Sequence, residues 1–142
     1  MLRGIDPVIS PALLEVLFRM GHGDELVLAD AFFPGDSIND TVIRADGLGI
    51  PQLLKGIMPL ITLDGYDIPL YMMAPVQGDE LDPQVENSYR REIDAVWPDT
   101  PPVKRMERFA FYDRARAAFA VVMTGETVKY GNIIIKKGVI NR

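Results

Sequence analysis

The sequence predicts a mixed α/β fold, one sheet covered by helices. Three observations carry this reading. Apolar runs such as Leu26–Ala29 and Leu70–Val76 are too short for helices and apolar enough to be covered strands. Between them lie stretches whose apolar residues recur at helical spacing, two of them opened by a capping residue followed by proline. Helix and strand signals also alternate along the chain instead of segregating, which favours helices laid over a sheet. At 142 residues and 48% hydrophobic, residues 1–142 suffice for a single domain with its own core.

Ser10-Pro11 opens the first helix, with Leu13, Leu14, Leu17 and Phe18 as its apolar stripe and Gly21 as its left-handed stop. Strand Leu26–Ala29 follows and ends at Asp30. Phe32 to Asp40 is a loop by its turn residues, and Thr41–Ala45 is a short strand. A second helix starts near Pro51, shows Leu53, Leu54, Ile57 and Met58 on one face, and stops at Pro59. After the strand of Leu70–Val76, Asp82-Pro83 opens a third helix with Val85, Tyr89, Ile93 and Val96 in line, ended by Pro98. Phe111, Ala115, Ala118, Phe119 and Val122 continue the helical period in the last third, and Arg108, Tyr112 and Arg116 share the opposite side. Tyr130–Ile135 closes the series as a strand with a polar entry and a buried body.

Composition excludes several classes of function. A net charge of −5 without blocks of like charge argues against nucleic-acid or anionic-membrane partners. With no cysteine there is no disulfide, thiolate nucleophile or cysteine-bound metal, which fits a reducing cytoplasm. The N-terminus lacks the apolar segment of a signal peptide, and no run approaches the ~18 apolar residues of a membrane helix. Neither form of glycine-rich phosphate loop is present, nor a G-x-S-x-G elbow. His22, Asp24 and Asp30 lack zinc-site spacing, so no metal is expected.

The sequence around Gly21-His-Gly-Asp24 holds the sole histidine, His22. Just past a helix C-terminus, His22 is favoured in its protonated form, and Asp30 emerges where the next strand ends. Brought to one edge of a sheet, the two make an acid–base pair; the competing reading is a solvated loop histidine and a turn aspartate. Phe32 and Phe33 either anchor their loop or form an apolar wall. Arg108 opposes the helix dipole in a first turn, which suits a ligand-facing cation as well as an idle surface residue. Tyr130 and Asn132 offer a hydroxyl and an amide around Gly131, group types that hold a polyol or merely decorate a strand edge.

Several stretches together resemble one family, the sugar mutarotases that comprise L-fucose mutarotase and D-ribose pyranase. They are Ile9-Ser-Pro-Ala-Leu-Leu14, Met20-Gly-His-Gly-Asp-Glu25, Leu28-Ala-Asp30, Val42-Ile-Arg-Ala-Asp-Gly-Leu48, Glu107-Arg-Phe-Ala-Phe-Tyr112 and Lys129-Tyr-Gly-Asn-Ile-Ile-Ile-Lys-Lys-Gly-Val139. The resemblance implies that His22 is the catalytic acid–base residue and that Asp30, Tyr130, Gly131 and Asn132 bind sugar. Arg108 stands where the ribose branch has histidine, so the fucose branch is the nearer. Phe32, Phe33 or Tyr112 would then face the methyl group of L-fucose. The family further implies a cofactor-free isomerase of carbohydrate metabolism, assembled as a decameric ring with sites between neighbouring subunits. Gln77 to Val103 is the least similar part, and no functional role is carried over there. A ribose pyranase and a non-catalytic sugar-binding or transport accessory protein are the alternatives.

Overall fold

A computed structural model describes residues 1–141. The elements in chain order are α1 (Pro11–Arg19), β1 (Glu25–Ala29), α2 (Gly35–Ile38), β2 (Val42–Ala45), α3 (Ile50–Ile57), β3 (Leu70–Met73), α4 (Pro83–Asp94), β4 (Lys104–Met106), α5 (Arg108–Ala117), β5 (Ala120–Thr124) and β6 (Ile133–Lys136). The two predicted caps form. The Ser10 hydroxyl accepts the Leu13 N–H at 3.1 Å, and the Asp82 carboxylate accepts the Gln84 N–H at 2.9 Å. Met20 ends α1 with φ −59° and ψ 131°, outside the helical region, and the left-handed residue of the turn is Gly23 (φ 86°) and not Gly21.

The strands make a six-stranded sheet in the order β2-β5-β1-β6-β3-β4. Only β6 runs antiparallel to its neighbours β1 and β3; the pairs β1–β5, β2–β5 and β3–β4 are parallel. Buried side chains alternate between the two faces, as strand geometry requires. Leu26 and Leu28 pack with Leu13 and Leu17 of α1, Leu53 and Leu54 of α3, and Tyr89 and Ile93 of α4. Val27 and Ala29 face Phe111 and Ala115 of α5. Helices therefore cover both faces, the expected mixed α/β architecture.

Three segments depart from the sequence reading. α5 ends at Ala117, and Val122 lies in β5, a fully buried strand between β1 and β2. Ala-Val-Val-Met-Thr is a short apolar run whose helical and strand readings periodicity cannot separate; its β-branched valines and its burial on both faces favour the strand. Lys104–Met106 pairs with β3 as an edge strand whose charged residues gave no apolar pattern. The loop of Phe32 to Asp40 contains the single turn α2. At three other ends the elements are shorter than predicted: β3 stops at Met73, α4 at Asp94, and β6 starts at Ile133, because Tyr130 takes a positive φ of 57° that a strand cannot hold. Trp97, beyond α4, packs against the core and donates its indole N–H to the Met58 carbonyl at 3.2 Å. Among the described residues no helix is long and apolar enough to cross a membrane.

Candidate active site

Topology brings the polar groups together. Because β6 is antiparallel to β1, its entry lies beside the exit of β1, with Ile133 opposite Leu28. Asp30 and Asn132 therefore meet, and the Asp30 N–H donates to the Asn132 side-chain oxygen at 2.7 Å. β5 supports the same corner. The Thr124 hydroxyl donates to the Ala29 carbonyl at 2.7 Å, and the Ala31 N–H donates to the Glu126 carbonyl at 2.8 Å. The Asp30 carboxylate accepts the Phe32 N–H at 2.9 Å, closing a tight turn. Burial pushes the Asp30 carboxyl above its ordinary value and the nearby Glu126 charge adds to this; N–H groups of Phe32 and Phe33 and the Asn132 side chain oppose it.

Tyr130 and Gly131 are fixed by residues that carried no functional expectation. Tyr130 has a positive φ of 57°, uncommon for a side chain of its size. Its hydroxyl donates to Asp79 at 2.8 Å and accepts the Val76 N–H at 3.1 Å. Asp79 also binds Lys129 at 2.8 Å, and these two partners, Lys129 first, hold its carboxyl below the usual range. The Gly131 carbonyl accepts the buried Tyr89 hydroxyl at 2.7 Å. A Cβ at residue 131 would stand 2.8 Å from the Val128 methyl and 3.1 Å from that hydroxyl, so the close approach needs glycine. Burial drives the Tyr89 hydroxyl far above its ordinary pKa, so it remains a donor. Both Asp79 and Tyr89 lie in the stretch from Gln77 to Val103, to which the resemblance assigned no function; only their contacts reveal them.

Arg108 begins α5 directly after β4. The helix start is stabilised by Glu107, whose carboxylate accepts N–H groups of Phe109 and Ala110 at 2.9 and 3.0 Å and is held low by them. Arg108 itself is exposed and has no carboxylate partner among the described residues; its guanidinium lies 4.6 Å from the centre of the Phe109 ring. Arg116, expected on the same side, pairs with Asp113 at 2.8 Å and stays outside the cleft.

The result is a cleft of about 280 Å³ that brings Asp30, Arg108, Tyr130 and Asn132 together with Phe32, Phe33 and Tyr112. Met73, Val76 and Lys129 complete its lining. The two phenylalanines divide the roles considered for them. Phe33 is buried, edge-on to Tyr112 at 5.5 Å and to Phe111 at 6.1 Å, whereas Phe32 is 77% exposed at the rim. Among the described residues no group of three or more His, Asp or Glu side chains is placed to hold a metal ion.

His22 is not in this cleft. It precedes β1, whereas Asp30 follows it, so the two flank opposite ends of a five-residue strand and are not the single-edge pair expected. A strand of that length spans roughly 16 Å. At its own end, His22 Nε2 lies 3.1 Å from Asp64 Oδ1, and its ring centre is 5.3 Å from that of Tyr66.

A cleft of hydrogen-bonding groups over aromatic walls, at the carboxyl ends of parallel strands, defines an α/β protein built for a small polar ligand. The chain belongs to the RbsD / FucU transport protein family, whose model matches residues 3–140. It is 62% identical over 140 residues to the L-fucose mutarotase of Actinobacillus pleuropneumoniae, covering 98% of this chain and 97% of that one. The L-fucose mutarotase of Histophilus somni is 59% identical with the same coverage. Among solved structures, the fucose mutarotase of Streptococcus pneumoniae in complex with L-fucose superposes with a TM-score of 0.92 at 43% identity, covering 99% of this chain and all of that one (100%).

Proposed function

We propose that this protein is an L-fucose mutarotase, an isomerase that interconverts the α and β anomers of L-fucose. The observation that carries the reading is the cleft itself, in a chain similar end to end to proteins of that name. The reaction opens the pyranose ring and closes it again. A base removes the anomeric hydroxyl proton while an acid protonates the ring oxygen; the aldehyde rotates, and the reverse transfers restore the ring. No electrons change hands and no cofactor is called for. General acid–base catalysis contributes ~10²–10⁴-fold, which suits a step that already proceeds unaided.

In this reading Asp30 accepts hydrogen bonds from sugar hydroxyls, Arg108 donates across two neighbouring oxygens, and the Tyr130-Gly131-Asn132 segment holds another edge. Phe32, Phe33 and Tyr112 offer an apolar wall for the 6-methyl group. His22 is the acid–base residue. Since it stands at the far end of β1 from the cleft, it serves the cleft of a neighbouring copy, and we propose a closed assembly, a decameric ring, with each site shared between two subunits. The absence of cysteine accords with work in the cytoplasm.

NMR saturation transfer between anomer signals tests the activity. The protein should speed exchange on L-fucose far more than on D-ribose. Binding of fucose with no increase in exchange would make it a sugar-binding accessory protein, and faster pyranose–furanose exchange of ribose would place it in the ribose branch.

A further inference from the structure

We propose that Asp79 is a positioning residue that leaves the Tyr130 hydroxyl only an acceptor toward the sugar, so that the cleft requires a donating hydroxyl at that point; this rests on the reading of the cleft as a fucose site. A phenol hydroxyl has one proton and two lone pairs. Its proton is engaged by Asp79 Oδ2 at 2.8 Å, since a carboxylate only accepts. One lone pair is engaged by the Val76 N–H at 3.1 Å, since an N–H only donates. A single lone pair is left, on a residue that lines the cleft. Without Asp79 the same hydroxyl could rotate and offer a sugar oxygen its proton instead.

One turn supplies both partners. The Asp79 N–H donates to the Val76 carbonyl at 3.0 Å, and Gly78 between them has φ 86°, as the third residue of a type II turn requires. Val76 thus closes the turn with its carbonyl and gives its N–H to Tyr130, while Asp79 takes the Tyr130 proton from the other side. Lys129 Nζ lies 3.1 and 2.8 Å from the two Asp79 oxygens and favours the ionised, accepting form of the carboxyl. Asn132 has the opposite polarity. Its side-chain oxygen is engaged by the Asp30 N–H at 2.7 Å, which leaves its amide N–H groups for a ligand. Around the cleft, then, Asp30 and Tyr130 accept while Arg108 and Asn132 donate. A sugar hydroxyl satisfies either kind of partner, whereas a substituent that only accepts is refused at Tyr130.

Fluorine in place of a sugar hydroxyl cannot donate, so it probes this acceptor directly. Kd is measured for L-fucose and for its analogues with fluorine replacing the hydroxyl at C2, C3 or C4, on wild type, Asp79→Ala and Tyr130→Phe. Fluorination at the position facing Tyr130 should weaken wild-type binding about 10- to 100-fold. In Asp79→Ala the Tyr130 proton is free to turn into the cleft, and in Tyr130→Phe no acceptor remains. Both variants should lose most of the penalty at that one position and keep it at the others. An Asp79→Ala protein that binds like wild type overturns the proposal. So does one that binds every sugar more weakly by a common factor, as loss of a purely structural contact would produce. Should Asp79→Ala fail to fold, Tyr130→Phe decides, and a penalty retained at every position refutes the proposal. In the sugar-free protein carrying ¹³C at tyrosine Cζ, the resonance missing from Tyr130→Phe should shift in Asp79→Ala while those of the other tyrosines stay; an unmoved resonance is also a refutation. Because that shift is read without sugar, a wild type that binds no fucose counts against the mutarotase reading, and the hold of Asp79 on Tyr130 is judged separately.

Discussion

If each site takes His22 from one copy and its cleft from another, two inactive variants should rescue one another. His22→Ala removes the acid–base group and leaves the cleft; Asn132→Ala removes the amide that holds Asp30 at 2.7 Å and leaves His22. Each alone should lose most of its anomer exchange, up to the ~10²–10⁴-fold that acid–base catalysis supplies for His22→Ala. In a 1:1 assembly of the two, a site is intact when its histidine donor is the Asn132→Ala copy and its cleft belongs to the His22→Ala copy. With random placement each condition holds half of the time, so about one site in four is whole and about a quarter of wild-type activity returns. The ~16 Å length of β1 forbids the same chain from supplying both parts of one site. The assay is saturation transfer on L-fucose after the variants are unfolded together and reassembled, with separately reassembled variants as controls. Activity no higher than the mean of the controls would refute the shared site.

Tyr89→Phe deletes the hydroxyl that donates to the Gly131 carbonyl and should destabilise the fold by about 1–3 kcal/mol in urea titrations, with weaker fucose binding because the Tyr130–Asn132 segment loosens. Asp30→Asn should abolish most activity while raising thermal stability at neutral pH. Since burial raises the Asp30 carboxyl above its unfolded value, its favourable contribution is full below the usual aspartate pKa and is lost as pH rises through the folded one, so the stability gain should vanish in acid. Arg108→His, at an exposed position with no ion pair among the described residues, should leave stability unchanged and reduce exchange on fucose more than on ribose, measured side by side.

Much of the fold was legible because it rests on local chemistry. Ser10-Pro11 and Asp82-Pro83 start helices by satisfying N–H groups within a few residues, and Leu26–Ala29 is apolar because it is covered on both faces. β5 was not legible, since Ala115, Ala118, Phe119 and Val122 fit the helical period and no Gly or Pro marks the change at Ala118. The candidate site was legible as a set of residue types but not as a place. Asp30, Arg108, Tyr130 and Asn132 line one cleft. His22 and Asp30, close in sequence, are separated by the strand between them. Asp64, Asp79 and Tyr89 act across 42 to 51 residues of chain, as partners of His22, Tyr130 and Gly131 respectively. An aspartate before a glycine, as at Asp64-Gly65, looks like any turn until the fold shows what it faces.

The single reversed strand, β6, has one more effect. It touches the Asp30 corner where it enters and the His22 turn where it leaves, so one stiff ribbon spans both stations of the protein. In the shared-site reading each copy therefore carries a socket at one end and a plug at the other, held at a fixed separation. An open row of such units always leaves one idle plug and one empty socket at its ends. A closed assembly leaves none, so the specific activity of a preparation becomes a count of closed contacts, and dilution that frees single chains should switch them off without unfolding them.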